Sequence, residues 1–135
     1  MTARRVVVID ASAMVQLLLR STGWEAVESA IMHDDAFAPD LIDVEILQVV
    51  RRLWLGGEMT MARADAALEI LQQLPLVRVP VHAVVAGAWR LRANASAYDA
   101  CYLALAELTG GSLLTRDAGL ARVPGARCPV EVLPR

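Results

Sequence analysis

Apolar residues along this chain fall into short continuous runs, separated by longer stretches in which they recur every three or four positions. The runs RVVVI (5–9), AFA (36–38), LVRVP (76–80), SLLT (112–115) and VEVL (130–133) have the length and β-branched content of strands. The stretches between them predict helices over 12–20, 24–33, 41–55, 61–73, 82–92, 98–109 and 118–122. Strands alternating with helices predict an α/β domain with a mainly parallel sheet. The first run is apolar without interruption, as in a central strand covered on both faces.

With 135 residues there is room for one complete core and too little chain for two ordinary domains, so 1–135 reads as a single domain. Hydrophobic residues make up 56% and the mean hydropathy is +0.45, more apolar material than a small monomer needs, which predicts a surface for a partner or a second copy. No apolar stretch reaches the roughly 18 residues of a membrane span. The start, MTARRVVVID, has too short an apolar core for a signal peptide, so a cytoplasmic protein with no membrane attachment is expected. Cys101 and Cys128 match neither a disulfide framework nor a zinc pattern and read as free thiols, and neither His33 nor His82 sits in a ligating motif.

The net charge of −2 argues against an extended basic surface for nucleic acid. Setting four acids aside at a metal site moves the balance of the remainder from −2 to +2, which weakens that exclusion. All 13 basic residues are arginine, and the pairs Arg4/Arg5 and Arg51/Arg52 read as solvated faces more readily than as phosphate clamps.

Four acids stand out against the apolar pattern. Asp10 ends the first strand and Asp117 follows SLLTR; both therefore belong at the carboxyl edge of a parallel sheet, where ligands bind, although each also suits an N-cap. Asp99 opens the otherwise apolar helix YDACYLALAEL, where its neighbours three, four and seven residues on are Tyr102, Leu103 and Ala106, none of which neutralises a carboxylate. Ser96 and Asp99 have the spacing of a capping box, so a cap is the structural alternative. In APDLIDVEILQVVRRLWL, Asp40 reads as the N-cap and Asp43 as a first-turn acid, whereas Glu45 lies at the margin of the apolar arc formed by Ile42, Val49 and Leu53.

Together, VIDAS at a strand end, Glu45 on a helix after AP, Asp99 in SAYDACYLALAE and Asp117 in LLTRD resemble the PIN domain, most closely the VapC-type ribonuclease toxins of bacterial toxin–antitoxin pairs. The resemblance covers essentially the whole chain in order and spacing, and YDACYLALA and LLTRD are its most specific parts. It implies a three-layer α/β/α PIN-like fold around a central five-stranded parallel sheet. It places an acidic quartet, catalytic and metal-binding, on Asp10, Glu45, Asp99 and Asp117, with Ser12 and Thr115 as accompanying hydroxyls; Arg116, by its position next to Asp117, reads as either a surface residue or a phosphate contact. It further implies Mg²⁺- or Mn²⁺-dependent endoribonuclease activity on RNA, inhibition by a cognate antitoxin protein, and a homodimer. The chemistry agrees, because two carboxylates about 4 Å apart repel by roughly 4 kcal/mol at an effective dielectric of 20, and a hard divalent cation removes that penalty. Receiver domains fit less well because they use a lysine and this chain has none; haloacid-dehalogenase-like phosphatases want an aspartate where Ser12 stands. A PIN-like module that binds RNA or a partner with little turnover is the non-enzymatic alternative. For a partner, the stripe Met61, Ala64, Leu68 and Leu71, with Trp54, Leu55 and Met59 before it, reads as core packing or as a groove for an antitoxin helix.

Overall fold

The computed structural model describes residues 4–135. Five strands, β1 (Val6–Ile9), β2 (Asp35–Pro39), β3 (Val77–Val79), β4 (Ser112–Thr115) and β5 (Val130–Val132), form one parallel sheet in the order β3-β2-β1-β4-β5. The strand order reverses between β1 and β4, the position at which an open parallel sheet leaves a crevice beyond its carboxyl ends. Asp10 and Asp117 follow the two strands that flank this reversal.

Six α-helices cover the sheet: α1 (Ala11–Leu19), α2 (Trp24–His33), α3 (Ile42–Leu55), α4 (Met61–Gln73), α5 (Val85–Arg90) and α6 (Ala97–Thr109). Helices α1 to α4 pack on one another, whereas α6 lies across β2, β1 and β4 with α5 stacked against it. Central position explains the apolar sequence of α6, in which every residue from Ala100 to Ala106 is buried. Val7, Val8 and Ile9 of β1 are likewise closed off on both faces. Immediately before β4 the chain passes so close to β1 that a Cβ on Gly111 would lie 2.6 Å from the carbonyl oxygen of Val6, so only glycine fits there.

Most elements lie within a residue or two of their expected positions, and the departures have local causes. The helix expected over 82–92 divides into a 3₁₀ turn, Val81–Val84, and the short α5; Val81, Val84 and Val85 are β-branched and disfavour continuous helix. The 118–122 segment is a 3₁₀ helix, Ala118–Arg122. Helix α3 starts after Leu41, without a side-chain cap. Asp40 instead accepts the Val81 N–H at 3.1 Å, and Asp43 forms a bidentate pair with Arg78 of β3, at 2.7 and 3.0 Å, that ties α3 to the sheet edge. The buried face of α3 consists of Ile42, Ile46 and Val50, which leaves Glu45 half-buried at its border.

Candidate active site

The site begins where β1 ends. Asp10 donates its N–H to the Leu114 carbonyl of β4 at 3.2 Å, and its side chain, 5% exposed, caps α1 by accepting the Ala13 N–H at 2.9 Å. Two hydroxyls complete its coordination: Ser12 Oγ donates to one carboxylate oxygen at 2.7 Å and Thr115 Oγ1 to the other at 2.5 Å. The same hydroxyls accept from the backbone leaving β4, Ser12 from Arg116 N–H at 2.9 Å and Thr115 from Asp117 N–H at 3.0 Å. Each therefore links a buried carboxylate of one strand end to an amide of the other. Asp117, exposed, uses one oxygen to cap the following 3₁₀ helix through Gly119 N–H at 2.8 Å.

The other two acids come from the helices. Glu45 of α3 accepts the Tyr102 phenol of α6 at 2.6 Å. At the start of α6 the capping is done by Ser96, whose hydroxyl accepts the Asp99 N–H at 3.1 Å; the Asp99 carboxylate makes no backbone hydrogen bond among the described residues. The cap reading of Asp10 and Asp117 is thus realised in the structure, and the capping box expected of Ser96 and Asp99 is realised, among the described residues, in its Ser96 half, which leaves the Asp99 carboxylate free of backbone bonds.

Electrostatics couples all four. Burial raises the pKa of Asp10, opposed by its hydrogen bonds from Thr115, Ser12 and Ala13, and the charge of Asp99 raises it further. Glu45 is raised by burial, with Tyr102 pulling the other way and Asp10 and Asp99 adding to the rise. Asp99 is raised by burial and by Asp117. Tyr102, buried and bonded to Glu45, is held far above the ordinary phenol range and stays a proton donor. Burial, aided by Glu45, also raises the Cys101 thiol, which makes it an unreactive core residue.

Among the described residues no three Asp, Glu, His or Cys side chains converge into a closed metal cage. The acids still act on one another through their charges, Asp99 on Asp10 and Glu45, Asp10 on Glu45, and Asp117 on Asp99. Their chemistry fits a hard cation nonetheless. The donors are all carboxylate oxygens, their mutual repulsion is the penalty a dication would relieve, and Mg²⁺ retains several waters and needs only one or two protein carboxylates beside a phosphate. Arg116 and Arg135 line a cavity of about 190 Å³ with Ser12 and Asp117. Sequence reasoning did not give Tyr102 a role or notice Arg135. The first carried a signal, since Tyr102 lies one turn from Asp99 and its hydroxyl is the next polar group along that face of an apolar helix; the second carried none.

The model of the PIN domain matches residues 7–126. Ribonuclease VapC3 of Mycobacterium tuberculosis is 43% identical over 117 residues, covering 86% of this chain and 85% of its own length. VapC ribonuclease Mb0985 of Mycobacterium bovis is 36% identical over 129 residues, covering 96% and 99%. Among solved structures, VapBC2 from Rickettsia felis bound to a DNA fragment from their promoter superposes with a TM-score of 0.72 at 12% identity, covering 96% of this chain and 99% of that one. PAE2754 from Pyrobaculum aerophilum gives 0.64 at 23%, covering 94% and 92%. The fold is thus shared with these structures, and by its sequence the chain belongs to the PIN domain family, among relatives named VapC ribonucleases.

Proposed function

We propose that this protein is a divalent-metal-dependent endoribonuclease and the toxin of a toxin–antitoxin pair. The observation that carries the reading is the frame joining the ends of β1 and β4, in which Ser12 and Thr115 hold Asp10 between them and fix the amides of Arg116 and Asp117. Asp10 caps α1, but a cap does not need its carboxylate buried under two hydroxyls and within reach of the charge of Asp99, and the relatives at 43% and 36% identity are named ribonucleases.

Asp10, Asp99 and Asp117, with Glu45 directly or through water, would hold Mg²⁺ or Mn²⁺. When bound, the cation supplies charge neutralisation at the scissile phosphate and activation of the attacking water. The remaining roles are the chain's own. The two hydroxyls spend their protons on Asp10, which fixes both its oxygens and orients its free lone pairs. Tyr102 orients Glu45 in the same way. Arg116, whose backbone is anchored by Ser12, is placed beside Asp117 to contact a phosphate.

The antitoxin surface is the groove between α3 and α4, about 500 Å³, where Leu47, Leu68 and Leu71 line a floor beside Asp43 and Arg78. The stripe expected on α4 is divided: Ala64 and Leu71 are buried in the core, whereas Met61, with Trp54, Leu55 and Ile70 nearby in sequence, faces solvent. A second exposed apolar surface, Val85 and Trp89 of α5, which line one cavity, supports the homodimer.

The test is cleavage of labelled RNA by purified, antitoxin-free protein in Mg²⁺ or Mn²⁺, beside EDTA and beside Asp99→Asn. Cutting by the wild type that is lost in EDTA and in a folded Asp99→Asn is the expected result. Equal cutting by both proteins would mean contamination and return Asp99 to a structural role; RNA binding without cutting would favour the non-enzymatic module.

A further inference from the structure

Three polar side chains are buried among the described residues: Asp10, Thr115 and Gln16. The first two belong to the site already described. Gln16 is fully buried and stands one turn beyond Ser12 on α1, so the two share a helix face. Its Nε2 donates to the carbonyls of Thr22 at 2.7 Å and Pro134 at 3.0 Å, while its Oε1 is buried with no hydrogen-bond partner. A leucine would fill that space without an orphaned oxygen, so packing does not account for the glutamine. What the amide accomplishes is to join the segment after β5 to α1.

That segment is fixed elsewhere as well. Leu133 donates its N–H to the Thr115 carbonyl at 2.7 Å, and Pro134 rests on Gly23, which has a left-handed φ of +96°. Residue 135 is thereby delivered to the wall of the 190 Å³ cavity that also contains Ser12, Arg116 and Asp117. Ser12 anchors the backbone of Arg116 and Gln16, one turn on, anchors the residue before Arg135. Among the described residues neither guanidinium enters an ion pair, whereas Arg4, Arg5, Arg78 and Arg90 all do. Two uncommitted arginines on one small cavity, beside the Ser12 hydroxyl and the Asp117 carboxylate, offer the donors an oxyanion takes, and an acidic chain that must admit a polyanion to four carboxylates needs such charge at the entrance.

Resting on the ribonuclease reading, we propose that Arg135, positioned by Gln16, forms with Arg116 a clamp for a backbone phosphate of the RNA strand on the Asp117 side of the site.

Binding of a short fluorescent single-stranded RNA to the Asp99→Asn protein, followed by anisotropy across a range of salt concentrations, tests this. Arg135→Ala should weaken binding about five- to tenfold near 0.1 M salt and reduce the slope of log K against log salt by about 0.7, the share of one phosphate contact. Arg135→Lys should restore the slope. Gln16→Leu should weaken binding when Arg135 is present and leave it unchanged when residue 135 is alanine. Arg135→Ala binding within twofold and with an unaltered slope, in a protein whose parent cleaves RNA, would overturn the clamp. Equal effects of Gln16→Leu in both backgrounds would overturn the positioning role. If Gln16→Leu fails to fold, the Arg135 variants, which alter an exposed side chain, decide alone. A parent protein that neither binds nor cleaves RNA would overturn the ribonuclease reading, and the clamp with it.

Discussion

Among the described residues, Glu45 is held by one side-chain hydrogen bond, from the Tyr102 phenol. Because that bond favours the ionised form, Tyr102→Phe should raise the pKa of Glu45 beyond the rise that burial, Asp10 and Asp99 already impose. The acid limb of the pH–rate profile for RNA cleavage should then move to higher pH, and loss of a hydrogen bond to a charged group should lower stability by about 1–2 kcal/mol in a denaturant titration. An unshifted limb would show that Glu45 is not among the groups whose ionisation limits the rate. The acids themselves were legible in the sequence because a carboxylate in an apolar segment contrasts with its surroundings. Their partners were not. Tyr102 and Glu45 are 57 residues apart, and which face of α6 meets α3 is decided by packing that no local pattern encodes. Gln16 was invisible for the opposite reason, since a glutamine on an amphipathic helix reads as a solvent-facing residue.

The elements were legible because their apolar periods are strong and their ends are marked. Asp10, Thr60 and Ser96 each accept an amide of the helix they cap, and Gly110 closes α6 with a left-handed φ of +69°. Where valines crowd the first turn, the expected helix over 82–92 gave way to a 3₁₀ turn and a short α5. The start of α3 misled in one respect: Asp40 has the position of a cap, but its side chain found Val81 from a distant part of the chain, whereas Asp43 lies in the first turn as expected and pairs there with Arg78. Beside β4, the contact between Gly111 and the Val6 carbonyl leaves no room for a methyl group. Gly111→Ala should therefore separate the amino ends of β1 and β4, opposite the Asp10 frame, and lower stability by about 1–3 kcal/mol, read as a reduced denaturant midpoint. A midpoint equal to that of wild type would show that the strands can yield at no cost.

At the scale of the molecule, three coupled acids with raised pKa values set the response to pH. A carboxylate whose folded pKa lies above its unfolded value stabilises the fold when protonated and loses that contribution as pH rises through the folded pKa. Asp10, Glu45 and Asp99 all have this sign, so metal-free protein should become less stable as pH rises from about 4 through the carboxylate range. Mg²⁺ or Mn²⁺ should restore the melting temperature at neutral pH and have little effect at pH 4; melting in EDTA and in excess cation, across that range, measures both. The apolar patch around Trp89, which is 67% exposed, predicts a dimeric mass by light scattering at micromolar concentration, and a monomeric mass would exclude the homodimer. The reversal of strand order carries a further consequence, for synthesis. Thr115 must reach back 105 residues to Asp10, so the two halves of the frame meet only after β4 has emerged from the ribosome and docked beside β1. A growing chain therefore carries its acids apart until β4 has been synthesised, while α3 and α4, which frame the groove proposed for the antitoxin, are already available to fold.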